Sequence, residues 1–233
     1  MNDYQLLLIC VLAGSVILLT GKYFFKRRRR NIFSMLIGDV QAYVSYLFEE
    51  HWQADLAYHD LDHTRLVVKR TQEIASNFRL DDLQEFILFS AAWFHDTGQL
   101  TGPPAGHEHR SVRLMEEFLS DKGIAPDIIS AIGRCILSTS IPHSPSNILE
   151  EIICDADTYN LGNEEFLITD AKVAREMQKR ADVDLSHWDK ETLAFLSAHR
   201  FFTPYCKSML SQGKQNNIHL VRERIKNKSG QTP

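Results

Sequence analysis

Histidine and aspartate residues recur along this sequence at positions that suit a shared metal ion. They stand at the edges of apolar segments: His59, His63, His95, Asp96, Asp155 and Asp157. A carboxylate in apolar surroundings needs a partner or a cation, because its pKa otherwise rises until the group is neutral. One metal ion meets that need for several side chains at once. The pattern therefore favours a metal site built from separate stretches of chain.

Two of these groupings depend on how the local chain folds. His59 and His63 are four residues apart, so they would share one face if residues 58–64 were helical. The segment Phe86–Phe94 is apolar all the way round, which is typical of a helix buried on every side. It leads directly into the His-Asp pair. We therefore expect that pair at the carboxyl end of the most buried helix.

A second group of ionisable residues follows at His107, Glu108 and His109. It does not match the zinc-protease pattern, because that pattern needs two histidines four residues apart on one helix face. The roles of His143 and His199 stay open. Ordinary hydrogen-bonded side chains, with no part in a site, are expected at His51, His187 and His219.

Amphipathic periodicity predicts helices through the body of the chain. Apolar residues recur at spacings of three and four between residues 33 and 48, which marks one buried helix face. Capping boxes at Asp81 and Asn147 predict helices that run from there to about Phe94 and Leu161. No stretch alternates cleanly as a strand would, so we expect an all-α domain.

Composition limits the class of protein and its partners. The chain has 233 residues, of which 44% are hydrophobic and 24% charged, as expected of one globular domain. Residues 1–30 carry a net charge of +5, which leaves −9 of the total of −4 on residues 31–233. An acidic body argues against duplex nucleic acid as a partner. Without a Cys-x-x-Cys pair, the cysteines are best interpreted as small core residues: Cys10, Cys135, Cys154 and Cys206.

The first 30 residues predict a membrane anchor. Residues 4–25 contain a single charged residue, Lys22, and as a helix they would be about 33 Å long, against a bilayer core of about 30 Å. The basic run Lys26–Arg30 follows, so the positive-inside rule places the rest of the chain in the cytoplasm. We therefore expect a single-pass protein of the cell membrane with a cytoplasmic catalytic domain.

The motifs resemble those of the HD superfamily of metal-dependent phosphohydrolases, an all-helical family named for its His-Asp pair. Residues 58–68 resemble its first His motif, residues 91–98 its His-Asp motif, and residues 155–157 its closing Asp motif. The resemblance implies an all-α, compact multi-helix HD-domain bundle, preceded here by one transmembrane helix. The expected division of the chain is a transmembrane helix with a basic run at residues 1–30, an HD domain at residues 31–225 and a flexible tail at residues 226–233.

The resemblance also implies a set of metal ligands: His63, His95, Asp96 and Asp157. It gives Asp155 a supporting role behind those ligands. Two imidazoles and two carboxylates suit a divalent ion such as Mn, Fe, Co, Ni, Zn or Mg, and the sequence does not specify which. One ion is favoured over two, although His107 and His143 keep a second ion open.

Hydrolysis of a phosphoester is the activity that the resemblance implies. Water bound to such an ion loses a proton near neutral pH and becomes a nucleophile, and the leaving oxygen then needs a proton donor. His59 is the first candidate, since the matching histidine is the donor in the cyclic-nucleotide phosphodiesterase branch. His107 and Glu108 are further catalytic candidates. Phosphate contacts are expected among Lys69, Arg70 and Arg110.

The expected partner is a small phosphorylated molecule, a nucleotide or cyclic nucleotide above all. The alternative hypothesis is a non-catalytic HD module, a sensor that binds a metal or ligand and signals at the membrane. The complete ligand set together with His59 favours the enzyme, because a purely structural module would not need it. No acidic pair follows Asp96, and residues 141–145 lack a Gly-Tyr-Pro motif, which separates the chain from the branches that hydrolyse ppGpp and cyclic-di-GMP. The oligomeric state stays open.

Overall fold

The computed structural model describes residues 32–229, which form α-helices joined by turns and loops. The first helix, α1, covers residues 32–50. The helices that follow are α2 (Leu61–Ala75), α3 (Asp82–Phe94), α4 (His107–Asp121), α5 (Pro126–Leu137), α6 (Ile148–Asp157), α7 (Phe166–Ala181), α8 (Trp188–Ala198) and α9 (Pro204–Ser229). Short 3-10 turns lie at Thr97–Thr101, Tyr159–Gly162 and Leu185–His187.

Capping residues determine where α3 and α6 begin. The Asp81 carboxylate accepts a hydrogen bond from the backbone N–H of Gln84, whose side chain accepts one from Asp81 N–H. The predicted capping box at the start of α3 is therefore confirmed. At α6 only half of the predicted box forms. Asn147 caps the helix, whereas the Glu150 carboxylate accepts hydrogen bonds from Ser146.

The helix α6 ends at Asp157, earlier than the sequence predicts. The hydroxyl of the next residue, Thr158, donates a hydrogen bond to the carbonyl oxygen of Cys154 at 2.7 Å, and the turn Tyr159–Gly162 follows. A hydroxyl that bonds back to the preceding turn offers the backbone an alternative to the regular helix. Asp157 consequently stands at a helix terminus.

The helix α3 lies at the centre of the fold, where it packs against α2, α5 and α6. Its apolar side chains are mostly buried, with Phe86, Leu88 and Phe94 at most 1% exposed. The prediction of a buried helix over Phe86–Phe94 is confirmed except at Phe89, which is partly exposed, and burial of the rest of that surface stabilises the domain. The predicted core cysteines of the described range are also buried and unpaired: Cys135, Cys154 and Cys206.

The membrane prediction needs correction. Among residues 32–229, no helix is both long enough and apolar enough to cross a bilayer. The longest, α9, carries charged residues along its length, including Lys207, Lys214 and Arg222. The predicted span, residues 4–25, lies outside the described residues, as does Cys10. The fold is therefore corrected from a bundle preceded by a transmembrane helix to a helical bundle over residues 32–229. The predicted localisation as a single-pass membrane protein depended on that helix, and no helix within residues 32–229 supports it.

The helix α9 closes the fold against the turn that follows α6. It continues through Ser229, so the predicted domain end at residue 225 falls inside it. Gly213 of α9 meets Gly162 of the turn so closely that a Cβ on Gly213 would lie 1.9 Å from the Gly162 carbonyl oxygen. Asn217 strengthens this contact, because its amide donates a hydrogen bond to Leu161 O at 2.9 Å.

The connection between α8 and α9 packs on the end of α6. The buried carboxylate of Asp155 accepts hydrogen bonds from the backbone N–H groups of Phe202 and Thr203, both at 2.8 Å, and from the Thr203 hydroxyl at 2.7 Å. His199 is 9% exposed, and its Nε2 lies 3.1 Å from the Thr158 hydroxyl. Burial, together with the charge of Lys214, lowers the pKa of His199 to about 3. The connection thus fixes the terminus that carries Asp157.

Replacement of Gly213 tests the close contact between α9 and the turn. We expect Gly213→Ala to destabilise the protein by roughly 1–3 kcal/mol, because backbone must move to admit the methyl group. Gly38→Ala is the matched control, since Gly38 lies in α1 with open space around it. That control should stabilise by about 0.5–1 kcal/mol. Urea unfolding of both variants measures the difference, and equal effects at the two positions would contradict the packing argument.

Because His199 is buried with a lowered pKa, we expect the free energy of unfolding to fall in mild acid. Its folded-state pKa of about 3 lies below the ordinary value of 6.5, so the unfolded chain takes up a proton first as the pH falls. Its contribution is complete above pH 6.5 and declines toward pH 3. Between pH 7 and pH 5 the decline should reach about 2 kcal/mol at 1.4 kcal/mol per unit. Urea unfolding should show a weaker pH dependence for His199→Gln, whereas parallel curves would rule out the assignment.

Candidate metal centre

The ends of three helices bring the predicted ligands together. His63 lies in the first turn of α2, where its backbone N–H donates to the capping carboxylate of Asp60 at 2.9 Å. His95 caps the carboxyl end of α3, and Asp96 follows it. Asp157 is the last residue of α6. Because helix ends are fixed by capping and by the packing of the helices, the geometry of these side chains is set by the bundle.

The ligand atoms converge on one point. The Nε2 atom of His63 lies 3.2 Å from Asp157 Oδ1 and 3.4 Å from Asp96 Oδ2. The Nε2 atom of His95 lies 3.6 Å and 3.2 Å from the same two oxygens. Candidate ligand atoms of His63, His95 and Asp157 all lie within 4.8 Å of one another, a spacing that allows one cation to contact all three. Asp96, the fourth predicted ligand, is not part of that group, although its Oδ2 lies near both imidazoles.

Three polar atoms at this point are buried without a hydrogen-bond partner within residues 32–229: His63 Nε2, His95 Nε2 and Asp96 Oδ2. The other nitrogen of His95, Nδ1, lies 2.8 Å from the Ala92 carbonyl oxygen, which can only accept, so Nδ1 carries the proton. Nε2 of neutral His95 is then a lone pair directed at the carboxylates. Buried polar atoms without partners are costly, and a cation would satisfy all three. The residues therefore fit a divalent metal ion.

The pKa shifts within the cluster also indicate that its carboxylates need positive charge beside them. Burial opposes protonation of His63, yet the neighbouring Asp157 and Asp96 outweigh it and raise the pKa of His63 to about 9. Burial likewise opposes ionisation of Asp157, but His63 and His95 hold the pKa of Asp157 below its usual range. The two carboxylates thus require positive charge beside them, which either imidazole protons or a metal ion can supply.

His107 contacts Oδ1 of Asp96, the carboxylate oxygen that does not face His63 and His95. It is the first residue of α4, where its Nε2 lies 3.1 Å from Asp96 Oδ1 and its Nδ1 lies 2.9 Å from the Pro104 carbonyl oxygen. Glu108 Oε2 lies 3.6 Å from His107 Nδ1, and His109 is exposed. Burial lowers the pKa of His107 but Asp96 raises it further, so the net shift is upward. Both predicted candidates, His107 and Glu108, therefore lie beside the cluster.

Gly98 allows α4 to begin this close to the ligands. A Cβ on Gly98 would lie 2.0 Å from the His107 carbonyl oxygen. The Gly98 N–H donates to the Ser111 hydroxyl at 2.8 Å, and that hydroxyl donates to the His95 carbonyl oxygen at 2.6 Å. Gly98 and Ser111 thus tie α4 to the His-Asp pair. Sequence reasoning missed both residues, since a lone glycine or serine gives no signal of such a contact.

His59 reaches the cluster from a loop and not from a helix. The helix α2 begins at Leu61, so the expected helical face shared by His59 and His63 was wrong. The His59 ring centroid nevertheless lies 5.6 Å from that of His63 and 6.4 Å from that of His107. Its Nδ1 lies 2.6 Å from Oε1 of Glu176, a buried residue of α7 that the sequence analysis did not identify.

The remaining predicted residues have other partners. Asp155 holds the α8–α9 connection, as described above, so its carboxylate supports the end of α6 and not the ligands directly. His143 Nε2 lies 3.1 Å from the Thr139 carbonyl oxygen, and its ring packs near Phe202. The histidines expected to take no part in a site are all exposed: His51, His187 and His219.

Two of the three residues expected to contact phosphate, Arg70 and Arg110, already bind other groups of the protein. Arg70 pairs with Glu73 at 2.6 Å and lies over the Tyr159 ring, 4.2 Å from its centroid. Arg110 Nε donates to the Gly98 carbonyl oxygen at 2.9 Å, so its guanidinium holds the loop beside the site. Lys69 is exposed on α2.

Comparison with solved structures identifies the fold. One similar structure is a predicted HD superfamily hydrolase from an uncultured Thermotogales bacterium, with 16% identity and a TM-score of 0.52 over 81% of this chain and 91% of that chain. Another is YpgQ of Bacillus subtilis in complex with ADP, with 16% identity and a TM-score of 0.52 over 79% of this chain and 97% of that chain. No protein-family model and no curated protein matches. The described residues thus share the HD-domain fold that the motifs implied.

Proposed function

We propose that this protein is a metal-dependent phosphohydrolase that cleaves a phosphoester of a small molecule, with a nucleotide or cyclic nucleotide as substrate. One observation carries the proposal. His63 Nε2, His95 Nε2 and Asp96 Oδ2 are buried, lack hydrogen-bond partners within residues 32–229 and lie together. A bundle that needed these residues only for packing would gain by pairing them or by replacing them with apolar side chains.

The four residues proposed to hold the ion are His63, His95, Asp96 and Asp157. Two neutral imidazoles and two carboxylates suit Mn, Fe, Co, Ni, Zn or Mg, and leave the charge of a divalent ion balanced. When bound, such an ion supplies Lewis-acid catalysis and an activated water for attack on phosphorus.

The chain's own residues open the site on one side. His63, His95 and Asp96 have side chains at most 4% exposed, whereas Asp157 is 22% exposed and His59 is 21% exposed. A substrate therefore approaches past Asp157 and His59. His59, at this open side and hydrogen-bonded through Nδ1, is the proposed donor of a proton to the leaving oxygen.

His107 is proposed to orient Asp96. Its contact with Asp96 Oδ1 leaves Oδ2 as the oxygen that faces His63 and His95. A ligand carboxylate that is held through its second oxygen keeps a fixed orientation, which metal sites commonly require. The proposed substrate class is supported by the ADP bound to YpgQ, which has a similar fold.

Metal binding is the first test of the proposal. We expect Mn²⁺ to stabilise the purified full-length chain by about 2.7 kcal/mol at a free concentration of about 100 Kd, because the ion binds the folded state alone. His95→Gln should lose most of this stabilisation. Asp62→Asn is the matched control, since the Asp62 side chain is 87% exposed beside ligand His63 and should leave the shift unchanged. Thermal unfolding with and without EDTA measures the shift, and a chain that stays folded but gains nothing from any divalent ion would refute the site.

Product formation tests the reaction. The Mn²⁺-loaded protein is assayed against nucleoside mono-, di- and triphosphates and cyclic nucleotides by chromatography of the nucleosides and nucleotides formed, and against bis-p-nitrophenyl phosphate by the p-nitrophenolate released. We expect His59→Asn to lower kcat on a nucleotide substrate by about 100-fold or more while the bound metal content is unchanged, because it removes the proton donor alone. A protein that binds metal but releases nothing across the panel would be a binding module and not a hydrolase.

A further inference from the structure

Glu176 is a fully buried carboxylate that lies beside the candidate site but contacts no proposed metal ligand. It belongs to α7, and its side chain is 0% exposed. One oxygen, Oε2, accepts hydrogen bonds from the backbone N–H groups of Tyr58 at 2.8 Å and His59 at 3.1 Å. The other, Oε1, lies 2.6 Å from His59 Nδ1. A single carboxylate therefore binds both the backbone and the imidazole of His59.

This contact determines which nitrogen of His59 carries a permanent proton. An ionised carboxylate can only accept hydrogen bonds, so His59 Nδ1 must donate to Glu176. Burial raises the pKa of Glu176, but its hydrogen bonds with His59 and Tyr58 outweigh burial and lower it to about 2, so it is ionised. The second nitrogen, His59 Nε2, makes no hydrogen bond within residues 32–229 and is free to contact a substrate.

Arg180 extends the contact to the chain that follows the His-Asp pair. It lies one turn after Glu176 on α7, with Nη1 3.4 Å from Glu176 Oε1 and 2.8 Å from Gln99 Oε1. Its Nη2 donates hydrogen bonds to the carbonyl oxygens of Gln99 and, at 2.8 Å, of Gly102. With a side chain only 5% exposed, Arg180 balances the buried charge of Glu176.

We propose that Glu176 is the positioning residue of His59. By accepting a hydrogen bond from Nδ1–H, it leaves the second proton of the His59 imidazolium on Nε2. That proton passes to the leaving oxygen, His59 is left as the neutral tautomer protonated on Nδ1, and Arg180 fixes Glu176 relative to the residues that follow the His-Asp pair. The proposal rests on the proposed function, since it takes His59 as the proton donor. It assigns α7, which supplies no proposed ligand, a part in the reaction.

A merely structural role for Glu176 predicts a different outcome. Proton donation matters most when the leaving oxygen is strongly basic, as in the alkoxide of a nucleoside, and little when it is p-nitrophenolate. If Glu176 positions the proton donor, the fall in kcat on its replacement should therefore depend on the leaving group. If Glu176 only keeps the His59 loop folded, its replacement would lower kcat equally for the nucleotide and for the p-nitrophenyl ester.

The test compares Glu176→Gln with wild type in the Mn²⁺-loaded full-length chain. We expect kcat to fall about 10- to 100-fold on the nucleoside monophosphate or cyclic nucleotide that wild type hydrolyses best, where the leaving group is an alkoxide, and less than about 3-fold on bis-p-nitrophenyl phosphate, with KM and bound metal unchanged. Glu164→Gln, an exposed position just before α7, is the control and should match wild type. If Glu176→Gln fails to fold, Glu176→Asp keeps the charge and should give a smaller loss with the same leaving-group dependence.

Nitrogen NMR of histidine-labelled protein provides a readout that does not need activity. Wild type should show His59 with the proton on Nδ1, and Glu176→Gln should shift the population toward the other tautomer. Equal losses on both substrates, or an unchanged tautomer, would overturn the role of Glu176. Failure of the proposed function is distinct, because wild type would then hydrolyse no phosphoester while the tautomer shift still occurred.

Discussion

Two neighbouring aspartates, the buried Asp96 and the partly buried Asp157, impose the constraint on which the rest of this structure depends. Their negative charge is stable in the interior only if positive charge or hydrogen-bond donors lie within a few ångströms. His63 and His95 lie within 3.6 Å, and both imidazoles are themselves buried. The cluster can therefore balance its charge by taking up protons or by binding a cation. That choice makes this part of the protein a candidate metal site as well as a packing element.

The fold meets this constraint by placing polar groups at helix ends. The apolar helix α3 passes through the centre of the bundle and ends where the His-Asp pair begins. The helices α2 and α6 begin or end at the same point, so each contributes one candidate ligand from a terminus. The loops and α4 then close around the cluster through backbone contacts such as those of Gly98 and Ser111.

Local patterns in the sequence predicted much of this arrangement. Contacts between residues far apart in the sequence could not be predicted. The capping box at Asp81 and the apolar run of α3 act over a few residues, so both could be identified from spacing. The His59 loop was mistaken for a helix because a spacing of four suits either. Glu176 could not be identified, since its partner His59 lies 117 residues away and nothing in the pattern of α7 marks it. The membrane helix, by contrast, rested on hydropathy in residues outside the described structure.

The contact of Gly98 with α4 also bears on how closely His107 can approach Asp96. Since a methyl group at Gly98 would meet the His107 carbonyl oxygen at 2.0 Å, the first turn of α4 can lie this near only if residue 98 is glycine. A related bundle with alanine or serine there would have to hold that turn farther out, which would lengthen the 3.1 Å contact between His107 Nε2 and Asp96 Oδ1. The absence of one side chain thus determines whether α4 can support the His-Asp pair at all.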